Sequence, residues 1–249
     1  MNDKSEGIVL KQSDFKDNDY LLNVMTPEFG RLSLVAKGAK KAQSKNSYAC
    51  SPLTLAAYLF DYRYSFSIHI LHSTTVIDTF KNIREDLMKI SAANIMVDTV
   101  NYITQECEDD VVFNHQVYQL LKDCLFYLNN NDHLYITLGV FLSNILIILG
   151  IGPQVDGCSK CDSDKITGIS IADGGFVCAK CGSEINNHDI LFLKQFRLLN
   201  KAKPCNFTAL EAYEPYDFGL IEILYQYLSE YGDVHLSSWT FFKDLITKK

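Results

Sequence analysis

Two cysteine pairs carry the clearest chemical signal in this 249-residue chain. Cys158 stands with Cys161 and, after sixteen intervening residues, Cys178 stands with Cys181. Each CxxC turn can aim two thiolates at one point, and two such turns at this separation match the spacing of a four-cysteine zinc site. Four sulfurs at about 2.3 Å fill a tetrahedron and leave no position open for water or substrate. The expected cofactor is therefore one Zn2+ ion with a structural role. Two disulfides, or four unrelated thiols, are the competing readings. The opening residues 1–6 read as no secretory signal, which favours thiols kept reduced. The other cysteines, Cys50, Cys107, Cys124 and Cys205, are scattered. Cys107 and Cys124 fall on apolar helical stripes and read as small core residues.

The second signal is a run of positive charge. The formal net charge of the whole chain is −7, which taken alone disfavours nucleic acid. The first 50 residues nevertheless carry eight Lys and Arg against six Asp and Glu. Arg31, Lys37, Lys40, Lys41 and Lys45 follow one another with no acid between Glu28 and Asp61. A one-signed stripe on an acidic protein creates a local field that attracts polyanions, and these five residues are the candidate DNA contacts. The plainer reading is a solvated loop. Phe29, Tyr48 and Tyr20 lie close by and are candidate stacking platforms or core residues.

Catalytic signatures are absent. The chain has no P-loop, no HExxH, no GxSxG and no GxGxxG. Gly38-Ala39-Lys40-Lys41 resembles a P-loop in composition only. His69 and His72, three apart in an expected strand, point to opposite faces and cannot form a local metal pair. His115, His133, His188 and His235 have no partner by spacing. Glu106, Glu108, Asp109 and Asp110 read as a solvated acidic loop. The expectation is a protein that is not an enzyme.

These residues need elements to position them. Hydrophobic content of 47% with 12% aromatics is ample for a packed core. Residues 7–11, 19–25, 31–36, 53–64 and 66–76 read as short strands, with residues 27–30 as a turn and 37–51 as a long basic loop. Five strands with one long loop suggest a small closed barrel of the OB type. Beyond residue 79 the apolar period changes from 2 to 3.6. Leu87, Ile90, Ala93, Val97, Val100 and Ile103 form one stripe, and Val117, Leu120, Leu121, Cys124, Leu125 and Leu128 a stricter one. Residues 134–151 approach the length of a membrane span, but Thr137, Ser143 and Asn144 interrupt them and no basic flank precedes them. They read as a buried helix, capped by Asp132 and ended by Gly150, Gly152 and Pro153. The cysteine module, 154–185, has a hairpin turn at Asp173-Gly174-Gly175. Helical patterning resumes near Asp189, again through Ile221, Leu224, Tyr225 and Leu228, and last over 238–246. The expected fold is multi-domain α+β: an N-terminal OB-fold β-barrel over 1–78, then an α-helical domain over 79–249 with an inserted four-cysteine zinc ribbon.

Three stretches together resemble the RecO family of bacterial recombination mediators. They are residues 7–10 with 19–22 and 26–32, the basic segment Val35-Ala36-Lys37-Gly38-Ala39-Lys40-Lys41, and Gly174-Gly175-Phe176-Val177-Cys178-Ala179-Lys180-Cys181. The resemblance implies an OB fold, a helical body and a zinc ribbon. It also implies a cytoplasmic, nucleoid-associated protein of DNA recombination and repair. Such a protein binds single- and double-stranded DNA, anneals complementary strands and assists RecA loading on DNA coated by single-stranded DNA-binding protein. The implied partners are DNA, RecR, the single-stranded DNA-binding protein and, indirectly, RecA, with no membrane. A zinc-ribbon adaptor that binds proteins without touching DNA is the alternative. The acidity of residues 51–249 is greater than this resemblance implies, and favours protein partners over DNA there.

Overall fold

A computed structural model describes residues 3–41, 43–44, 46–105, 110–182 and 187–247. Lys45, Cys107, Glu106, Glu108 and Asp109 lie outside the described residues. The elements run β1 (Asp3–Lys16), β2 (Asp19–Thr26), β3 (Gly30–Ala36), β4 (Leu55–Asp61), β5 (His69–Asp78), α1 (Lys81–Arg84), α2 (Leu87–Ile103), α3 (Val111–Asn130), α4 (Leu134–Ile148), β6 (Ile166–Ser170), β7 (Gly175–Cys178), α5 (Ile190–Lys201), α6 (Phe207–Glu211), α7 (Phe218–Gly232) and α8 (Ser237–Thr247). They divide into two compact units, Met1–Asn130 with Leu236–Lys249, and Asn131–His235.

In the first unit the five strands close into a barrel in the order β1-β2-β3-β5-β4. β1 does most to close it. Its first half pairs with β4, from Asp3 opposite Phe60 to Ile8 opposite Leu55, and its second half pairs with β2. A register shift between Val9 and Lys11 marks the handover. Such a bulge bends a strand, which lets one chain segment serve two ladders. The last side is a short parallel ladder in which Leu34, Val35 and Ala36 of β3 face His69, Ile70 and Leu71 of β5. Leu22, Leu34, Tyr58 and Phe60 fill the interior and are fully buried.

β1 is far longer than the five residues that its apolar run suggests. Its polar ends are strand because they are paired, so their conformation is set by neighbours and not by their own propensity. β4 and β5 are shorter than their β-rich composition suggests. Residues 62–64 and 66–68, expected in strands, form the β4–β5 loop together with Ser65, and residues 63–68 are exposed.

α2 packs against β1, α3 and α8. It is consequently buried on more than one face, with Ala93, Val97 and Val100 inside but Leu87 59% exposed. All six stripe residues of α3 are buried. Asn23 on β2 donates to Asn101 Oδ1 of α2 at 3.0 Å, and Gly30 leaves room for Asn114 of α3. A Cβ on Gly30 would stand 2.5 Å from the Asn114 amide, and its φ of +64° also favours glycine. The outer face of β2 and β3 is thus partly covered by the unit's own helices.

In the second unit α4 packs against α5, α6 and α7. α4 ends at Ile148, and among the described residues no helix is long and apolar enough to cross a membrane. His133, not Asp132, occupies its N-cap position. The His133 ring reaches Glu214 at 2.7 Å through Nδ1, a tertiary partner that sequence spacing could not reveal. Asp189 and Asp217 cap α5 and α7, accepting from the N–H groups of Phe192 and Gly219.

An ion pair joins barrel to helix. Glu6 of β1 accepts from the Tyr118 hydroxyl and pairs with Lys122 Nζ at 2.5 Å, both on α3. Burial pushes the Glu6 carboxyl up, but the hydrogen bonds from Lys122 and Tyr118 outweigh it and hold it below its ordinary value of 4.5. A depressed folded-state pKa contributes stability above the unfolded value and loses it as pH falls through the folded one. We expect Glu6→Gln to destabilise the protein at pH 7 by about 1–2 kcal/mol, as for loss of a charge-assisted hydrogen bond. Thermal unfolding from pH 7 downward should show the variant and wild-type curves converging below pH 4.5.

Candidate functional site: a four-cysteine centre and the barrel surface

β6 and β7 form an antiparallel ribbon with its turn at residues 171–174, close to the expected hairpin. Cys178 closes β7, and each CxxC segment folds back on itself. The N–H of Asp162 bonds the Cys158 carbonyl at 2.9 Å, and the N–H of Gly182 bonds the Cys178 carbonyl at 2.9 Å. Gly175 lets the ribbon approach residue 154 closely, since a Cβ there would stand 2.3 Å from the Gln154 oxygen.

These turns bring the thiols of Cys158, Cys161, Cys178 and Cys181 within 4.8 Å of one another. All four are free thiols. Cys161 Sγ lies 3.7 Å from Cys178 Sγ, far beyond the ~2.05 Å of a disulfide. A tetrahedron with metal–sulfur bonds of about 2.3 Å has edges of about 3.8 Å, so the donors fit one such ion. Electrostatics point the same way. Burial pushes the Cys158 thiol up, but N–H groups of Lys160, Cys178 and Cys161 more than offset it and bring it to about 6. The Cys181 N–H leads in lowering Cys178. Hydrogen bonds to Cys161 and Cys178 push Cys181 up to about 12, so without a cation the four share protons rather than all ionising. Among the described residues the surrounding core is Cys158, Val177 and Cys178, with Ile166 and Cys181 against it. A core that small needs a further staple. The ribbon is tied to its unit by the Tyr227 hydroxyl, which donates to the Ser170 carbonyl at 2.8 Å, and by Phe176 against Phe196.

The basic candidates separate into three situations. In the segment after β3, Ala36 and Ala39 are buried in the barrel core. Gly38 takes a left-handed φ of +68°, and its N–H donates to Asp19 Oδ1 at 2.8 Å. This geometry turns Lys37 and Lys41 outward, and both are exposed. Lys40 is different. Its ammonium pairs with Asp14 at 2.8 Å, donates to the Lys16 carbonyl at 3.0 Å and lies over the Tyr20 ring. The composition of the segment, rich in Gly, Ala and Ser, leads one to expect both Lys40 and Lys41 exposed; Lys41 is, but the Lys40 side chain is only 21% exposed. Arg31 stands at the opposite end of β3, six residues and so about 20 Å from Lys37. The sequence stripe is not one surface patch.

Beside Arg31 lies a recess of about 200 Å³, lined by Phe29, Tyr62, Tyr64, Phe66 and His69 among others. Tyr64 is 80% exposed and Phe66 56%. Phe29 is half-buried, its ring 5.4 Å from Phe60 and 4.9 Å from Tyr62. Of the sequence's candidate platforms, Tyr48 is exposed, whereas Tyr20 packs on the core beneath Lys40. Tyr62, Tyr64 and Phe66 were missed because their β propensity assigns them to strands. The alternation of Arg63, Ser65 and Ser67 with aromatic residues is itself a strand pattern, so the sequence offered no local signal of a loop there.

Comparison with known families matches residues 1–80 to the model described as Recombination protein O N terminal, and residues 84–240 to Recombination protein O C terminal. The chain belongs to the RecO family. Among its relatives is the DNA repair protein RecO of Halalkalibacterium halodurans, 26% identical over 97% of this chain and 94% of that one. The DNA repair proteins RecO of Bacillus pumilus and a Thermoanaerobacter species are each 30% identical. They cover 73% and 72% of this chain, and 69% and 70% of their own length. The closed barrel of the RecO N-terminal region and the clustered cysteines agree with the architecture that the sequence led us to expect.

Metal analysis of reduced, freshly purified protein should give about one zinc per chain, the stoichiometry of a closed four-sulfur site. Cys178→Ser should lower the bound metal and expose residues 158–182 to protease, since a metal held by four thiolates would supply folding free energy to its ribbon. Separately, Lys40→Glu should cost about 1–2 kcal/mol by removing an ion pair and a cation–π contact. Lys41→Glu should stay within ~0.5 kcal/mol of wild type in denaturant titrations.

Proposed function

We propose that this RecO-family protein is a non-enzymatic recombination mediator that binds single- and double-stranded DNA through its barrel. In this reading it anneals complementary strands and assists RecA loading on DNA coated by single-stranded DNA-binding protein, with RecR as a further partner. Its place is the cytoplasm, at the nucleoid. The observation that carries the reading is the pair of outward lysines, Lys37 and Lys41, on a loop whose alanines and glycine serve the barrel and leave the ammonium groups to solvent. Such unopposed cations on a small barrel suit phosphate contact by charge, without reading bases. Arg31 and Lys45 are additional candidate contacts. Lys40 is the weakest, since Asp14 already neutralises it in the free protein. The cysteines are proposed as ligands of one structural Zn2+, which keeps the ribbon folded. Residues 51–249 carry a net charge of −9, which favours protein partners over DNA for surfaces beyond the basic loop.

Binding to an unstructured oligonucleotide should tolerate sequence and weaken with salt. Lys37 and Lys41 alone predict a log–log slope of about −1.4 for a single strand, and all five candidates about −3.5. The double change Lys37→Glu, Lys41→Glu should slow annealing of complementary oligonucleotides and flatten that slope while the melting temperature holds. A well-folded variant that anneals at the wild-type rate would remove the loop from the mechanism and favour the protein-adaptor reading.

A further inference from the structure

The β3–β5 ladder covers only Leu34–Ala36, because β5 starts at His69. Gly30–Ser33 therefore runs past the end of that ladder. The aromatic recess opens at this place, between the start of β3 and the loop from Tyr62 to Ser67. None of its lining residues is a carboxylate, in a chain that is acidic overall. It offers instead Arg31, the exposed faces of Tyr64 and Phe66, and the hydroxyls of Ser33 and Ser67. Arg63 adds a cation 5.8 Å from the centre of the Phe66 ring. The two acids next in sequence to its lining residues are engaged: Asp61 pairs with His72 at 3.0 Å, and Glu28 accepts from the Ser5 hydroxyl at 2.5 Å.

Aromatic faces beside guanidinium groups suit a flat π-system carried on an anionic backbone, because both the ring faces and the cation favour it. Size narrows the choice. About 200 Å³ is less than the ~300 Å³ at which sites for larger ligands begin, so the recess holds one ring system and not a whole cofactor. Duplex bases are stacked on each other and present no free face, so only an unpaired base can enter.

We propose that this recess is a stacking site for one unpaired nucleobase of a DNA single strand, held between Tyr64 and Phe66 with Arg31 and Arg63 at its edge. The inference rests on the DNA-binding reading above and adds to it a means of telling single strand from duplex. The lysine loop, some 20 Å along β3, cannot make that distinction, since phosphates are common to both forms.

The test uses the full chain with Tyr64→Ala, Phe66→Ala and Phe66→Trp, a single-stranded oligonucleotide containing 2-aminopurine, and its duplex. Tyr64 and Phe66 are exposed, so their replacement leaves the core intact. Each alanine variant should bind the single strand roughly 5- to 100-fold more weakly, the range for loss of one base–aromatic stack. Duplex affinity and the salt slope should hold, because no phosphate contact is lost. Phe66→Trp should keep single-strand affinity, with indole emission quenched on binding above the background of Trp239, the one native tryptophan. Alanine variants that bind the single strand like wild type, or that lose single strand and duplex equally, overturn the stacking site and leave the lysine loop standing. A wild-type protein that binds neither form overturns both readings.

Discussion

Closure of the first unit depends on one strand belonging to two ladders. β1 holds β4 with its first half and β2 with its second, and the shift between Val9 and Lys11 lets it turn between them. Because β1 and β2 form the hairpin whose end carries Asp14, Lys16 and Asp19, that turn also sets the floor on which the basic loop rests. Asp19 fixes Gly38, and Asp14 with the Lys16 carbonyl fixes Lys40. The outward pose of Lys37 and Lys41 thus depends both on the hairpin beneath the loop and on the small residues of the loop itself, Gly38 with its left-handed φ and the buried Ala36 and Ala39.

The opposite corner is governed by where closure is incomplete. The parallel ladder between β3 and β5 is three residues long, and the β4–β5 loop bridges the remaining gap with aromatic side chains. Phe29 and Tyr62 pack inward against the core, so the loop is anchored, while Tyr64 and Phe66 face solvent. Exposed aromatic rings have an apolar cost that a chain ordinarily avoids by burying them. Two beside each other at the end of a ladder, over a half-buried aromatic floor, form a surface with a shape. The outer face of β2 and β3, by contrast, is partly taken by Asn101 of α2 and Asn114 of α3.

What the sequence made legible follows from how local each cause is. CxxC spacing is a local constraint, and the four thiols meet where that spacing requires. The strict stripe of α3 is equally local, and all six of its residues are buried. The length of β1 was hidden because pairing partners make strand of Asp3, Lys4 and Ser13. The state of Lys40 was hidden because its acid partner lies 26 positions away on another strand. His133 and Glu214 meet across 81 residues, which no pattern in either segment records. The β4–β5 loop was misassigned for the reverse reason, since local propensity was strong and the ladder stopped short of it.

The acidity of the whole chain and the basic character of one loop are compatible because charge acts over a limited range. At physiological ionic strength the screening length is about 8 Å, so acids farther than that from Lys37 and Lys41 scarcely alter their field. Nearby acids matter more, and two on the adjoining β1–β2 hairpin are already engaged. Asp19 accepts from the Gly38 N–H, and Asp14 is bound to Lys40. Lys40 therefore acts on the loop's electrostatics from below, by neutralising the carboxylate that would otherwise offset its neighbours. Replacing Lys40 with a neutral residue frees that carboxylate next to the loop. Its loss should weaken polyanion binding even though its own ammonium is already paired with Asp14.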